Sequence, residues 1–153
     1  MTRSITWLRG GLAVLTVTQA VVGAWAFFFP RGFYDDAPTV HVGTFGPPFN
    51  EHFVSDTGGL YLATAVVLGA ATLYMERRLI YTALVAYLVF SVAHLLFHVR
   101  HLEGFPPVDS ILLPTGLVFQ VVIASGLLVL ATRDVRIHSP GLGLDWEKDT
   151  RES

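Results

Sequence analysis

The chain has 153 residues, of which 52% are hydrophobic and only 14% are charged, and its formal net charge is −2. Because soluble domains carry about a quarter charged residues, this composition excludes an ordinary soluble domain, and we expect no nucleic-acid partner. The chain contains no cysteine, which excludes disulfides, thiolate metal sites and redox chemistry through a cysteine pair.

Four segments are long and apolar enough to cross a bilayer as helices, which takes about 20 residues each. Helices satisfy their own backbone hydrogen bonds in hydrocarbon, so we predict an all-α fold, a polytopic membrane protein with a four-transmembrane-helix bundle. We expect the bundle to occupy residues 1–138 and residues 139–153 to form a flexible cytoplasmic tail. The predicted spans are residues 5–29, 58–75, 79–99 and 111–131.

The first span also resembles a cleaved signal peptide. It begins with basic residues, and Ala24-Trp25-Ala26 loosely fits a small-residue cleavage site. The apolar run continues past that site through residues 27–29, so we expect a membrane span.

The basic residues predict the orientation of the spans. Eight of the ten lie at the two termini or in the turn at residues 76–78, and only Arg31 and Arg100 lie on the opposite side. The positive-inside rule therefore places both termini and this turn in the cytoplasm. The loops at residues 30–57 and 100–110 then face outward.

The first outer loop is long and rich in aromatic residues, which we expect on the membrane interface or over the mouth of the bundle. Asn50 is placed to cap a helix that begins at Glu51 and runs straight into the second span. The very short turn after that span predicts that the second and third spans are antiparallel neighbours. We also expect Gly58 and Gly59 to permit close helix packing, and Pro114 to lie in the first turn of the fourth span.

The third span carries a polar stripe. At 100° per residue, His94, His98 and His101 fall within about 60° of one another, and Tyr87 and Ser91 lie on the same face. Histidines four residues apart on a helix form a common chelating pair, because their imidazoles can converge on one ion. His94 and His98 are the better pair, and His101 is a rim ligand or a proton relay.

A second polar group precedes the second span. His52 and Asp56 share a helical face, and Glu51 lies about 100° away. With His94 and His98 they would make a mixed nitrogen and oxygen set that suits zinc, iron, copper or manganese. Asp56 could instead orient an imidazole ligand from behind.

Each polar residue also has a purely structural interpretation. Glu51 and Asp56 would stabilise the start of a helix, whose dipole favours acidic side chains. His98 and His101 would anchor the third span in the headgroups. Polar side chains in mid-span typically form helix–helix hydrogen bonds, which applies to Tyr87, Ser91, Gln19 and Gln120.

A family resemblance rests on three sequence features. They are Phe-Tyr-Asp-Asp at residues 33–36, Gly-Pro-Pro-Phe-Asn-Glu-His-Phe-Val-Ser-Asp-Thr-Gly-Gly at residues 46–59, and the histidine-rich end of the third span. The chain resembles a group of small, uncharacterised actinobacterial integral membrane proteins and is loosely similar to the DoxX-like four-helix proteins. The resemblance implies a four-helix fold in a bacterial cytoplasmic membrane. It implies no activity and no site residues.

Two classes of function follow from these patterns. The first is a metal-dependent oxidoreductase or hydrolase acting on a lipophilic substrate, with His52, Asp56, His94 and His98 as ligands and Glu51 as general acid or base. The second is a non-catalytic membrane subunit or small-molecule binder, whose histidines relay protons or anchor a partner. Haem b between His52 and the third span is a variant of the second class. Both classes imply contact with membrane lipid, and the sequence leaves open whether the chain forms a homo-oligomer.

Overall fold

The computed structural model describes residues 3–36 and 48–133, and these ranges contain five helices and no strands. Four of the helices are long and apolar enough to cross a membrane, which confirms the all-α membrane bundle. The predicted tail at residues 139–153 and residues 37–47 of the first outer loop lie outside the described residues. The helices are α1 (Arg3–Phe28), α2 (Pro30–Asp36), α3 (Glu51–Tyr74), α4 (Arg77–Arg100) and α5 (Pro107–Arg133).

Local sequence signals set the limits of α3. The Asn50 side chain accepts a hydrogen bond from the backbone N–H of Phe53 at 3.1 Å, so Asn50 caps the helix as predicted. At the other end Met75 adopts a left-handed conformation with φ 52°, and its N–H bonds to the carbonyl of Ala71. α4 begins at Arg77, which confirms the tight antiparallel turn.

α5 begins earlier than its hydropathy predicts. The helix starts at Pro107, so Pro114 lies inside the helix, and its predicted position in the first turn is wrong. Pro107 takes the first helical position, where a proline loses no hydrogen bond. Asp109 stands in the first turn, where the helix dipole favours a carboxylate. Asp109 and Ser110 interrupt the apolar pattern near the start of this helix, so hydropathy alone places the start too late.

The four long helices form two close pairs, α1 with α3 and α4 with α5. A Cβ atom added at Gly58 would lie 2.5 Å from the backbone nitrogen of Phe27, and one added at Gly23 would lie 2.8 Å from Cβ of Tyr61. The expected packing role of Gly58 is thereby confirmed. Gly59 only faces the ring of Phe27, at 3.8 Å from an added Cβ.

The apolar core joins both pairs toward the end of the bundle where α1 begins. It is built from leucine and other aliphatic side chains of all four long helices, including Leu8, Leu12, Leu68, Ile80 and Leu84. We call the opposite end, where α1 and α4 end and α3 and α5 begin, the histidine end. There the short helix α2 packs Tyr34 against Ala26 and Val54, so α2 covers the α1–α3 pair.

Candidate functional site

His52 and Asp56 form a contact of their own on the first turns of α3. His52 Nε2 lies 3.4 Å from Asp56 Oδ2, and the two side chains are 87% and 67% exposed. Glu51 is exposed as well. These residues therefore form a surface group at the histidine end.

His94 and His98 form a second contact, on α4. Their ring centroids are 4.5 Å apart, and the ring planes are nearly perpendicular. His94 stacks on Phe90 at 5.5 Å and meets the ring of Tyr61 edge-on at 6.5 Å. The half-buried His94 thus lies on the face of α4 that turns toward α3.

The two pairs lie on faces of α3 and α4 that do not meet. Tyr61 contacts His94, and His52 precedes Tyr61 by nine residues, which places it about 180° away around α3. Asp56 precedes Tyr61 by five residues and lies about 140° away. Among residues 3–36 and 48–133, no group of three or more His, Asp or Glu side chains could hold a metal ion. The predicted four-ligand set is therefore not assembled in this part of the chain.

His101 has its own backbone contact at the end of α4. Its ring stacks on Phe97 at 4.2 Å, and its Nδ1–H donates to the carbonyl oxygen of Phe97 at 2.7 Å. This hydrogen bond gives a partner to the Phe97 carbonyl, because carbonyls in the last turn of a helix have no partner within the helix. This contact holds His101 at the end of α4, and its predicted roles as a headgroup anchor, rim ligand or proton relay stay predictions.

A buried polar group lies in the middle of the bundle. The Tyr87 hydroxyl of α4 donates to Oε1 of Gln120 on α5 at 2.9 Å, which confirms the expected helix–helix hydrogen bond. The side chains of Ser91 and Gln19 lie beside this hydroxyl. Tyr87 and Gln19 are 0% and 1% exposed, and Ser91 is buried. We call Gln19, Tyr87, Ser91 and Gln120 the central polar cluster.

One atom of the central polar cluster stands out. Among the described residues, Oε1 of Gln19 is the buried side-chain polar atom without a hydrogen-bond partner. Sequence reasoning placed Gln19 in mid-span and expected only helix–helix bonding. Hydropathy cannot reveal which atoms of a buried amide find partners, because that depends on the side chains of the other helices.

The polar stripe on α4 connects the cluster to the histidine end. Ser91, His94 and His98 follow Tyr87 at intervals of four, three and four residues, which keeps them on one helical face. Ser91 is buried, and both histidines are half-buried. Polar side chains thus extend from the buried middle of the bundle to its rim.

Comparisons with protein-family models, with curated proteins and with solved structures gave no match. The resemblance to actinobacterial and DoxX-like membrane proteins therefore stays a prediction.

Replacing Tyr87 with phenylalanine should lower the free energy of unfolding by about 1 kcal/mol, because hydrogen bonds between membrane helices are worth roughly 0.6–1.7 kcal/mol. A double-mutant cycle with Gln120→Leu in detergent measures the coupling directly. Tyr74→Phe is the matched control, since Tyr74 is exposed. No coupling between positions 87 and 120 would contradict the central hydrogen bond.

Proposed function

We propose that this protein is a non-catalytic membrane protein that binds a small lipophilic molecule inside its four-helix bundle. The observation that supports this most is the central polar cluster, which buries an amide, a phenol and a serine hydroxyl together around Tyr87. Within this cluster Gln19 Oε1 is buried without a hydrogen-bond partner among the described residues, and such an atom is costly at membrane depth unless a ligand or water pairs with it.

The packing of the helices supports the same location. The most extensive contacts are within the α1–α3 and α4–α5 pairs, and the cluster joins Gln19 of the first pair to Tyr87 and Gln120 of the second. Ligand sites in helical bundles commonly lie between helices. A ligand here would lie between the two pairs and reach the histidine end along Ser91, His94 and His98.

The test is the small-molecule content of the purified protein. We expect wild-type protein to retain a stoichiometric non-phospholipid molecule, detected by extraction and mass spectrometry. Ser91→Phe should lose it, because a ring at this buried position would crowd the groups around Tyr87. Val92→Phe is the matched control, since Val92 is exposed.

Thermal unfolding of both variants shows whether Ser91→Phe still folds, and Ser91→Leu gives a smaller obstruction. Only background phospholipid in the wild-type protein, or equal retention in all three variants, would refute this binding role.

A metal-dependent enzyme is the second candidate, and one observation favours it. The 4.5 Å between the ring centroids of His94 and His98 suits two imidazoles that converge on zinc, copper, iron or manganese. The pair would need further ligands from water or a lipophilic substrate, because His52 and Asp56 point elsewhere and Glu51 is exposed. Haem b between His52 and α4 gains no support, since His52 lies on the far side of α3.

Metal analysis of the purified protein together with an optical spectrum distinguishes a metal-dependent enzyme, a haem protein and a metal-free binder.

We propose a location in a bacterial cytoplasmic membrane with both termini in the cytoplasm. Eight of the ten basic residues lie on the side of the termini and of the turn between α3 and α4. At that end Arg9 Nε donates a hydrogen bond to the carbonyl oxygen of Thr72 at 3.0 Å. The positive side chain thus pairs with a carbonyl in the last turn of α3.

Single cysteines test this orientation, because the chain has no native cysteine. Glu103→Cys should react with a membrane-impermeant maleimide in intact cells, whereas Glu76→Cys should react only after permeabilisation. Both changes preserve all ten basic residues, and Glu76 makes no side-chain hydrogen bond in capping α4. Labelling of both positions from the same side would contradict the topology.

A further inference from the structure

The orientation of the Gln19 amide follows from the proton of Tyr87. A tyrosine hydroxyl has one proton, and that of Tyr87 is donated to Oε1 of Gln120. Any hydrogen bond from the neighbouring Gln19 to this hydroxyl oxygen must therefore come from the NH2 group, because an amide oxygen cannot donate. Gln19 Oε1 is left as a buried acceptor without a partner among the described residues.

An unpaired buried acceptor is costly, because it loses its hydrogen bonds to water and gains none in return. A ligand that donates a hydrogen bond to Gln19 Oε1 would remove this cost. A ligand that can only accept, such as an ether, would leave the oxygen unpaired.

The neighbours of Gln19 also define the charge of such a ligand. The cluster consists of two amides, a phenol and a serine hydroxyl, so it offers no formal charge to balance a charged head group. A charged group at this depth would therefore be bound at a large cost.

Building on the proposed binding function, we propose that the bound molecule is an uncharged lipophile with a hydroxyl group, which donates a hydrogen bond to Gln19 Oε1. The hydroxyl lies beside Tyr87 in the central polar cluster. The apolar remainder of the molecule lies between the α1–α3 and α4–α5 pairs.

The experiment compares 4-alkylphenols of four to eight chain carbons with their methyl ethers, which keep the ring and the chain but cannot donate. Binding is measured by equilibrium dialysis against nanodiscs that contain the protein, with empty nanodiscs subtracting partition into lipid. For the wild-type protein we expect the best phenol to bind about three- to tenfold more tightly than its ether, as one additional hydrogen bond provides.

Gln19→Leu keeps the approximate size of the side chain and should remove this preference. Thr18→Val is the matched control, because the exposed Thr18 hydroxyl bonds to the carbonyl of Val14 within its own helix, and this variant should keep the preference. Thermal unfolding of both variants checks that the bundle is intact.

Each alternative result has one meaning. Equal binding of phenol and ether, or a preference that survives in Gln19→Leu, would overturn the hydroxyl assignment but leave the binding function standing. If the Gln19→Leu variant is more stable than the wild type and binds the phenol equally well, the natural partner of Gln19 Oε1 is a water molecule. No saturable binding of any phenol or ether would refute the binding function itself.

Discussion

Replacing Gly58 with alanine should leave the bundle about 3 kcal/mol less stable than replacing Gly59 with alanine. At Gly58 the new Cβ would lie 2.5 Å from the backbone nitrogen of Phe27 and 2.9 Å from the carbonyl carbon of Ala26. These are backbone atoms of α1, which cannot rotate away as the end of a side chain can. The two helices must separate, and the contacts along their whole interface weaken.

Gly59→Ala provides a close match for this comparison. The two glycines are adjacent in α3, so the helix propensity gained with alanine, about 1 kcal/mol, is common to both variants. A Cβ at Gly59 would meet only the ring of Phe27, at an ordinary 3.8 Å. Unfolding of both variants in the same detergent therefore isolates the clash. Equal stabilities would show that α1 and α3 do not approach this closely.

The bundle is predictable from the sequence because a bilayer permits few alternatives. Apolar segments of this length must satisfy their backbone hydrogen bonds internally, so each becomes a helix whatever its neighbours are. The start of α3 was also predictable, because Asn50 is a strong capping residue directly before Glu51. The start of α5 was not, because Asp109 and Ser110 interrupt the apolar pattern before the hydrophobic window that begins at Ile111.

The candidate site was only partly predictable, for a geometric reason. The tight turn between α3 and α4 constrains the depth of their residues, which is why His52 or Asp56 was expected to meet His94 or His98. The rotation of α3 about its own axis depends on other contacts. These are the close approach of Gly58 to α1 and the packing of Tyr61 against Phe90. This rotation turns His52 and Asp56 away from α4. A pair within one helix, such as His94 with His98, depends only on the spacing along that helix and not on its rotation. Such a pair was predictable from the sequence.

Under the metal-dependent candidate, zinc ions should stabilise the wild-type protein through His94 and His98. Their rings are 4.5 Å apart, and small rotations of the side chains would bring one nitrogen of each to an ion at about 2.0–2.1 Å. An ion that binds only the folded state at a hundred times its Kd stabilises that state by about 2.7 kcal/mol. His94→Ala and His98→Ala should each abolish most of this stabilisation and most of the bound metal.

Two other histidine variants serve as controls for that experiment. His101→Ala should keep the response to zinc, because the His101 ring stacks on Phe97 and its Nδ1–H is held by a backbone carbonyl. His52→Ala should keep it as well, since His52 lies on the far side of α3. Unfolding with and without zinc, together with metal content, is measured for all four variants in one detergent.

His94→Leu distinguishes a ligand from a packing residue. If His94 only packs against Phe90 and Tyr61, leucine should be neutral or stabilising, since it removes a polar group from membrane depth. If His94 is a ligand, the leucine variant should lose the stabilisation by zinc, as the alanine variant does. Its free energy of unfolding without zinc should change little. Unchanged metal content with raised stability in His94→Leu would therefore end the metal-dependent candidate, and the lipophile-binding function would stand alone.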